Sequence, residues 1–125
     1  MSLFDDKSLN KREYIEGVNI FESGGTSSEA YLIEAGKVDI YREEDGTRHE
    51  IASLGPGDIF GEMALIRKQP HTSFAVAAEK TLVVIITQDM IDEKLESTDP
   101  LIKALVHLFI KRLYRSNDEK QGRAA

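Results

Sequence analysis

The sequence of 125 residues contains no cysteine, which excludes a disulfide framework, a thiolate zinc site and a cysteine nucleophile. It also contains no apolar run approaching the roughly 18 residues that a membrane-spanning helix needs, so we expect no membrane partner. The first residues are acidic and lack a signal-peptide pattern. The absence of cysteine suits a reducing compartment, and we expect a cytoplasmic protein.

An excess of basic residues is also missing. The chain has 16 lysines and arginines against 22 aspartates and glutamates, a formal net charge of −6. Proteins that bind nucleic acid usually carry a basic surface, so we expect no direct nucleic-acid binding. The length fits one domain, and folding at this size buries about two-thirds of the surface of the unfolded chain. We therefore predict a single domain over residues 1–125.

Short runs of alternating apolar residues occupy the middle of the chain, from about residue 12 to residue 87. Turns that contain glycine separate these runs, and in Glu44-Asp45-Gly46 the glycine supplies the positive φ of a tight hairpin. The polar segment Asp5–Glu13 before them predicts a short helical or irregular lead-in. This alternation is typical of an antiparallel sandwich or barrel.

Two helices are predicted after the strands, over about residues 88–116. Asp99 can cap the second helix, with Pro100 at the first helical position, where the missing N–H costs nothing. We expect the tail from Ser116 to Ala125 to fray. The apolar stripe of the second helix is wider than one packed face requires, so we expect a homodimer through this C-terminal helix. The stripe comprises Leu101, Ile102, Leu105, Val106, Leu108, Phe109, Ile110, Leu113 and Tyr114.

A short helix is predicted at Glu62–Ile66, directly after Gly61. The first N–H groups of a helix lack partners within the helix and its dipole is positive there, so an anion such as phosphate is favoured. Gly61 lets a ligand approach the backbone closely. The carboxylate of Glu62 would suit a hydroxyl group on the same ligand, as in a sugar phosphate. The alternative is that Glu62 only compensates the helix dipole.

Two segments, Tyr31–Tyr41 and Leu54–Leu65, carry a resemblance to a known family. The second contains the run Phe-Gly-Glu-Met-Ala-Leu, and both resemble the cyclic nucleotide-binding domain, with similarity from roughly Arg12 to Leu113. The resemblance implies a mainly β fold, an eight-stranded antiparallel jelly roll with a short phosphate-cassette helix and C-terminal helices. It further implies a regulatory or sensor domain that binds cAMP or cGMP, with no other cofactor, and that is not an enzyme.

The resemblance assigns ligand binding to a cassette that spans Phe60–Phe74. The backbone amides of Gly61–Ala64 would contact the ligand, and Glu62 would accept a hydrogen bond from the ribose 2′-hydroxyl. Thr72 supplies a hydroxyl like that of cGMP-preferring members. Phe74 either points into the core, which is the favoured alternative, or crowds the base side of the pocket. The candidate ligand-binding residues are Phe60, Gly61, Glu62, Met63, Ala64, His71, Thr72 and Ser73.

His71 stands where the resemblance implies an arginine that pairs with the cyclic phosphate. Arginine presents a permanently charged fork of donors, whereas neutral histidine presents one donor. A hydrogen bond to a charged group is worth about 1.5–3 kcal/mol, so loss of the fork is expected to lower affinity by roughly tenfold to over a hundredfold. A bound phosphate favours the imidazolium form and restores part of this loss. We expect weak or altered nucleotide binding.

Other functions are less well supported by the sequence. A cupin-type metal enzyme needs converging imidazoles, but His49, His71 and His107 lie far apart, so no metal site is predicted. Ser27 and Ser53 lack an activating context, and no catalytic residue is predicted. One alternative stays open: a degenerate cyclic nucleotide-binding fold that acts as a protein–protein interaction or dimerisation module without nucleotide. The chain is either a stand-alone sensor or part of a longer protein.

Overall fold

A computed structural model describes residues 7–124, with side chains for residues 7–112 and 115. Over this range the chain forms eight strands and three helices, in two compact units that divide between Thr87 and Gln88. The strands are β1 (Asn10–Tyr14), β2 (Asn19–Phe21), β3 (Ala30–Ala35), β4 (Val38–Glu44), β5 (Thr47–Leu54), β6 (Ile59–Phe60), β7 (Phe74–Ala77) and β8 (Thr81–Ile86). The helices are α1 (Glu62–Arg67), α2 (Gln88–Glu96) and α3 (Pro100–Ala124).

Two four-stranded antiparallel sheets form the first unit, with strand orders β1-β8-β3-β6 and β2-β7-β4-β5. The β4–β5 hairpin turns at Asp45 and Gly46, which both have positive φ, as the Asp-Gly pair predicts. Inward-facing residues of both sheets make one core: Ile20, Phe21, Tyr31, Ile33, Val38, Ile40, Phe60, Ala75, Ala77, Val83 and Ile85. The predicted mainly β, antiparallel jelly-roll fold is confirmed.

A buried threonine ties the β3–β4 turn to the start of β8. The Thr81 Oγ1 accepts a hydrogen bond from the Lys37 backbone N–H at 3.1 Å. The same hydroxyl lies within donating distance of the backbone carbonyls of Lys37, at 3.0 Å, and Glu79, at 2.8 Å. Gly36 has a φ of 101°, and a Cβ there would lie 2.5 Å from the Thr81 Oγ1. The turn therefore requires glycine at this position.

The segment before Tyr14 differs from the predicted helical or irregular lead-in. Asn10–Tyr14 forms β1, an edge strand that pairs antiparallel with β8. Four of its five side chains are exposed, so no apolar alternation marks it in the sequence. The Lys11 Nζ lies 2.8 Å from the Glu34 Oε1 on β3. Charged side chains on an edge strand also discourage pairing with a further strand.

The second unit consists of α2 and α3, where two helices were predicted. The Asp99 Oδ1 accepts a hydrogen bond from the Leu101 backbone N–H at 2.8 Å, as expected of a helix cap. α3 extends to Ala124, beyond the predicted end near residue 116, because the tail is rich in helix formers and has no proline. Ala125 lies outside the described residues. Within the described part of the chain, no helix is long and apolar enough to cross a membrane.

Candidate functional site

The candidate site lies where β6 passes into α1. Gly61 separates the two elements with a φ of 75° and a ψ of 7°, a left-handed conformation that glycine adopts without strain. No side chain caps this end of α1. The chain therefore leaves the sheet and enters the helix in one residue, and the first backbone N–H groups of α1 are not bonded to a capping side chain.

The structure places the eight predicted ligand-binding residues along β6, α1 and the turn before β7. Phe60, Ala64 and His71 are buried, Gly61, Glu62, Met63 and Ser73 are half-buried, and Thr72 is exposed. Gly61 and His71 lie against each other, since a Cβ built on Gly61 would be 2.8 Å from the His71 Cε1. The fold thus brings the predicted phosphate-binding side chain next to the N-terminal end of α1.

His71 is 4% exposed, and its imidazole stacks on the ring of Phe21. The ring centroids are 3.6 Å apart and the planes differ by 7°. The Nε2 atom is buried and has no hydrogen-bond partner among the described residues. Cε1 is bonded to both ring nitrogens, so the polar edge of the imidazole faces Gly61. A buried polar atom without a partner is uncommon, and a ligand or water is the usual explanation.

Burial lowers the pKa of His71 below its ordinary value of 6.5, and a hydrogen bond with the Glu29 backbone acts in the opposite direction. Desolvation penalises the charged form, so the imidazole is neutral at about pH 7 in the free protein. The sequence suggested the positive end of α1 as the cause of a lowered pKa, but burial is the largest cause. An anion bound at Nε2 would favour the imidazolium and reverse the shift.

Sequence analysis missed three residues that surround His71. Phe21 on β2 supplies the stacked ring, and the Gly24 backbone N–H donates to the His71 carbonyl at 2.8 Å. The Glu29 carbonyl lies 3.1 Å from the position of a Cβ on Gly61. These residues are distant from the cassette in the chain and belong to no recognisable motif. Only the folded structure brings them to the site.

Tyr31 joins this cluster from β3. Its ring lies 5.8 Å from that of Phe21 and 6.4 Å from that of His71. Its hydroxyl is within hydrogen-bond distance of the Ser27 Oγ, at 3.3 Å, and the Glu29 Oε2, at 3.4 Å. Burial raises the pKa of Tyr31, so the phenol stays protonated and donates or accepts hydrogen bonds as a neutral group.

Phe74 does not point into the core, contrary to the favoured prediction. On β7 the alternate residues Ala75 and Ala77 are buried, whereas Phe74 is half-buried. Successive side chains of a strand point to opposite faces, so Phe74 lies on the face away from these alanines. The guanidinium carbon of Arg48 lies 4.1 Å from the centre of its ring, a cation–π contact.

The histidines do not form a metal site in the structure. Among the residues whose side chains are described, no group of three or more histidines, aspartates or glutamates could hold a metal ion. His49 is exposed on β5 and His107 is exposed on α3.

Replacement of Gly61 by alanine tests the contact with His71, and Gly46→Ala is a matched control. The two glycines have φ values of 75° and 77°, so both variants carry similar backbone strain. A Cβ on Gly46 meets nothing within 4 Å, whereas one on Gly61 meets His71 at 2.8 Å. We expect Gly61→Ala to lower the free energy of unfolding by about 1–3 kcal/mol more than Gly46→Ala in chemical denaturation, because of overpacking. Equal losses would contradict the contact.

Comparison with known proteins places this geometry among proteins of known architecture. The family model described as "Cyclic nucleotide-binding domain" matches residues 11–98. The CRP-like cAMP-activated global transcriptional regulator of Mycobacterium tuberculosis is 27% identical over 113 residues, which cover 90% of this chain and 50% of the regulator. The chain therefore spans half the length of that relative.

Solved structures of the EAL enzyme Bd1971 are also similar. Its halfsite-occupied form has a TM-score of 0.79 and 33% identity, and the match covers 88% of this chain and 99% of that chain. The cAMP-bound form has a TM-score of 0.65 and 32% identity, covering 90% of this chain and 30% of that chain. The cGMP-bound form has a TM-score of 0.65 and 30% identity, covering 92% and 31%.

Proposed function

The chain belongs to the cyclic nucleotide-binding domain family, and we propose that it is a regulatory domain that binds cAMP or cGMP at the start of α1. A relative is named as cAMP-activated, and a structural neighbour has been solved with each nucleotide. The observation in this chain that supports the proposal most is the buried, unpartnered Nε2 of His71 beside Gly61.

The proposed binding mode uses backbone and side-chain groups together. The amides of Gly61–Ala64 and the Nε2 of His71 bind the cyclic phosphate, and Glu62 accepts a hydrogen bond from the ribose 2′-hydroxyl. Phe60 and Met63 border the ligand, and the hydroxyls of Thr72 and Ser73 are available to the phosphate or base. Because His71 replaces the arginine fork, we propose that affinity is weak or altered relative to a domain that carries arginine.

We further propose that this chain acts by binding rather than by catalysis, with no cofactor besides the nucleotide and no direct contact with nucleic acid. The relative from Mycobacterium tuberculosis is named as a regulator, which agrees with such a role. Bd1971 is named as an enzyme, but this chain covers only 30% of its cAMP-bound structure. A cytoplasmic location completes the proposal.

The Glu62→Ala variant tests the ribose contact. Loss of a hydrogen bond to a charged group should weaken cAMP binding by about 1.5–3 kcal/mol while the fold stays intact. Asp89→Ala is the matched control, because Asp89 is likewise the acidic residue in the first turn of a helix, α2. Calorimetric titration gives the affinity and chemical denaturation gives the stability. If Glu62→Ala loses stability as the control does and keeps its affinity, the carboxylate only compensates the helix dipole.

The pH dependence of binding tests the role of His71. The pKa of His71 is lowered in the free protein, and a bound phosphate raises it, so binding takes up a proton. cAMP binding should therefore weaken as the pH rises from about 6 to 8. His71→Arg should raise the affinity and flatten this dependence, because guanidinium stays charged. His49→Arg, at an exposed strand position, is the control.

Calorimetry at both pH values distinguishes the outcomes. Equal cAMP affinities of the wild type and His71→Arg at both values would remove His71 from the site. Circular dichroism of each variant establishes that the fold is retained before the titration is interpreted.

We also propose a homodimer through α3. Five large apolar residues on this helix are exposed: Leu101, Ile102, Leu105, Leu108 and Phe109. Leu101, Leu105 and Leu108 follow the four- and three-residue spacing of a coiled-coil seam, and a second copy of the helix offers the same seam. The side chains of Leu113 and Tyr114, which belong to the predicted stripe, lie outside the described residues.

Sedimentation measures this association. The wild type is expected to sediment as a dimer, and Leu105→Glu as a monomer, because a buried unpaired charge opposes association. A wild type that stays monomeric at the concentrations used for crystallisation would contradict the proposed interface.

A further inference from the structure

The stack of His71 on Phe21 has a geometry that suits a charged imidazole better than a neutral one. The ring centroids are 3.6 Å apart and the planes are nearly parallel, at 7°. Neutral aromatic pairs prefer offset or edge-to-face arrangements, because their faces carry the same partial charge. A cation over the face of an aromatic ring is instead attracted to it.

The Phe21 ring is itself held firmly in place. It is 6% exposed and lies 5.8 Å from the ring of Tyr31 and 5.9 Å from that of Phe60. A Cβ on Gly61 would lie 3.2 Å from the Phe21 Cε2, so the phenyl ring and the start of α1 are close neighbours. The imidazole is therefore confined between a fixed ring on one face and Gly61 at its polar edge.

We propose that Phe21 is a positioning residue of the nucleotide site: its ring fixes the imidazole of His71 and stabilises the imidazolium that forms when a phosphate binds to Nε2. This inference rests on the proposed function, since the phosphate is that of a cyclic nucleotide. It explains how a buried histidine can replace an arginine. The site supplies the aromatic face on which the new charge is stabilised.

Few other groups are able to act on the charge of His71. The elements packed around it contribute the Tyr31 ring from β3, the Glu29 backbone from the preceding loop, and Gly61 at the start of α1. The titratable groups among them are the Tyr31 phenol and the Glu29 carboxylate, which lie within hydrogen-bond distance of each other. Both remain unchanged in the variants that test the proposal.

Two replacements of Phe21 separate its aromatic face from its volume. Phe21→Leu removes the ring, and Phe21→pentafluorophenylalanine keeps the shape but reverses the charge distribution of the face. Ile33→Val is the control for lost core volume, because Ile33 is fully buried on β3 and belongs to the same core cluster. cAMP is the probe, and calorimetry gives its Kd at about pH 6 and pH 8, on either side of the histidine range.

The pH profile distinguishes stabilisation of a charge from packing. We expect both Phe21 variants to raise the Kd for cAMP by roughly 3- to 30-fold at the lower pH, where the bound imidazole is charged. The increase should nearly vanish at the higher pH, where the imidazole of the complex loses its proton. NMR titration of the complexes should show a lower pKa of His71 in both Phe21 variants than in the wild type.

The alternative outcomes overturn different statements. Losses of affinity that are equal at both pH values, as expected for Ile33→Val, would make Phe21 a packing residue and overturn the inference alone. Unchanged affinity in both Phe21 variants would do the same. A wild type that binds neither cAMP nor cGMP would overturn the proposed function and this inference with it.

Discussion

The close approach of Gly61 to His71 is the constraint on which the candidate site depends. A side chain at position 61 would overlap the imidazole, and the positive φ of this residue turns the chain from β6 into α1. One glycine therefore fixes both the start of the helix and the space for the ring. The stack on Phe21 and the hydrogen bond from Gly24 to the His71 carbonyl hold the other sides of this residue.

A buried histidine in this place carries a cost that depends on pH. The pKa of His71 is lower in the folded than in the unfolded chain, so the unfolded chain binds more protons around the ordinary histidine pKa of 6.5. The contribution of His71 to the free energy of unfolding therefore falls as the pH decreases through this range. An anion at Nε2 opposes this effect, so ligand binding, charge on the imidazole and stability are linked. An arginine would carry its charge in every state.

Local patterns predicted most of the fold, whereas contacts between distant segments were missed. Alternating apolar residues and glycine turns specify strands such as β4 and β5 and the helix after Gly61, because these depend on nearby residues. β1 was missed because it is a polar edge strand held by backbone pairing. Phe21 was missed because a buried phenylalanine in sequence is simply a core residue. Phe74 was assigned to the wrong face, since alternation alone does not tell which face is buried.

Calorimetric titration of the wild type with cAMP and cGMP, in buffers of different ionisation enthalpy, tests the central claim most directly. Nucleotide binding with His71 as the phosphate partner predicts saturable heat, and a dependence on the buffer that reports proton uptake at about neutral pH. Binding without proton uptake would contradict the role of His71. No heat and no thermal stabilisation at millimolar nucleotide would contradict nucleotide binding itself, and would favour a degenerate fold that acts through protein contacts.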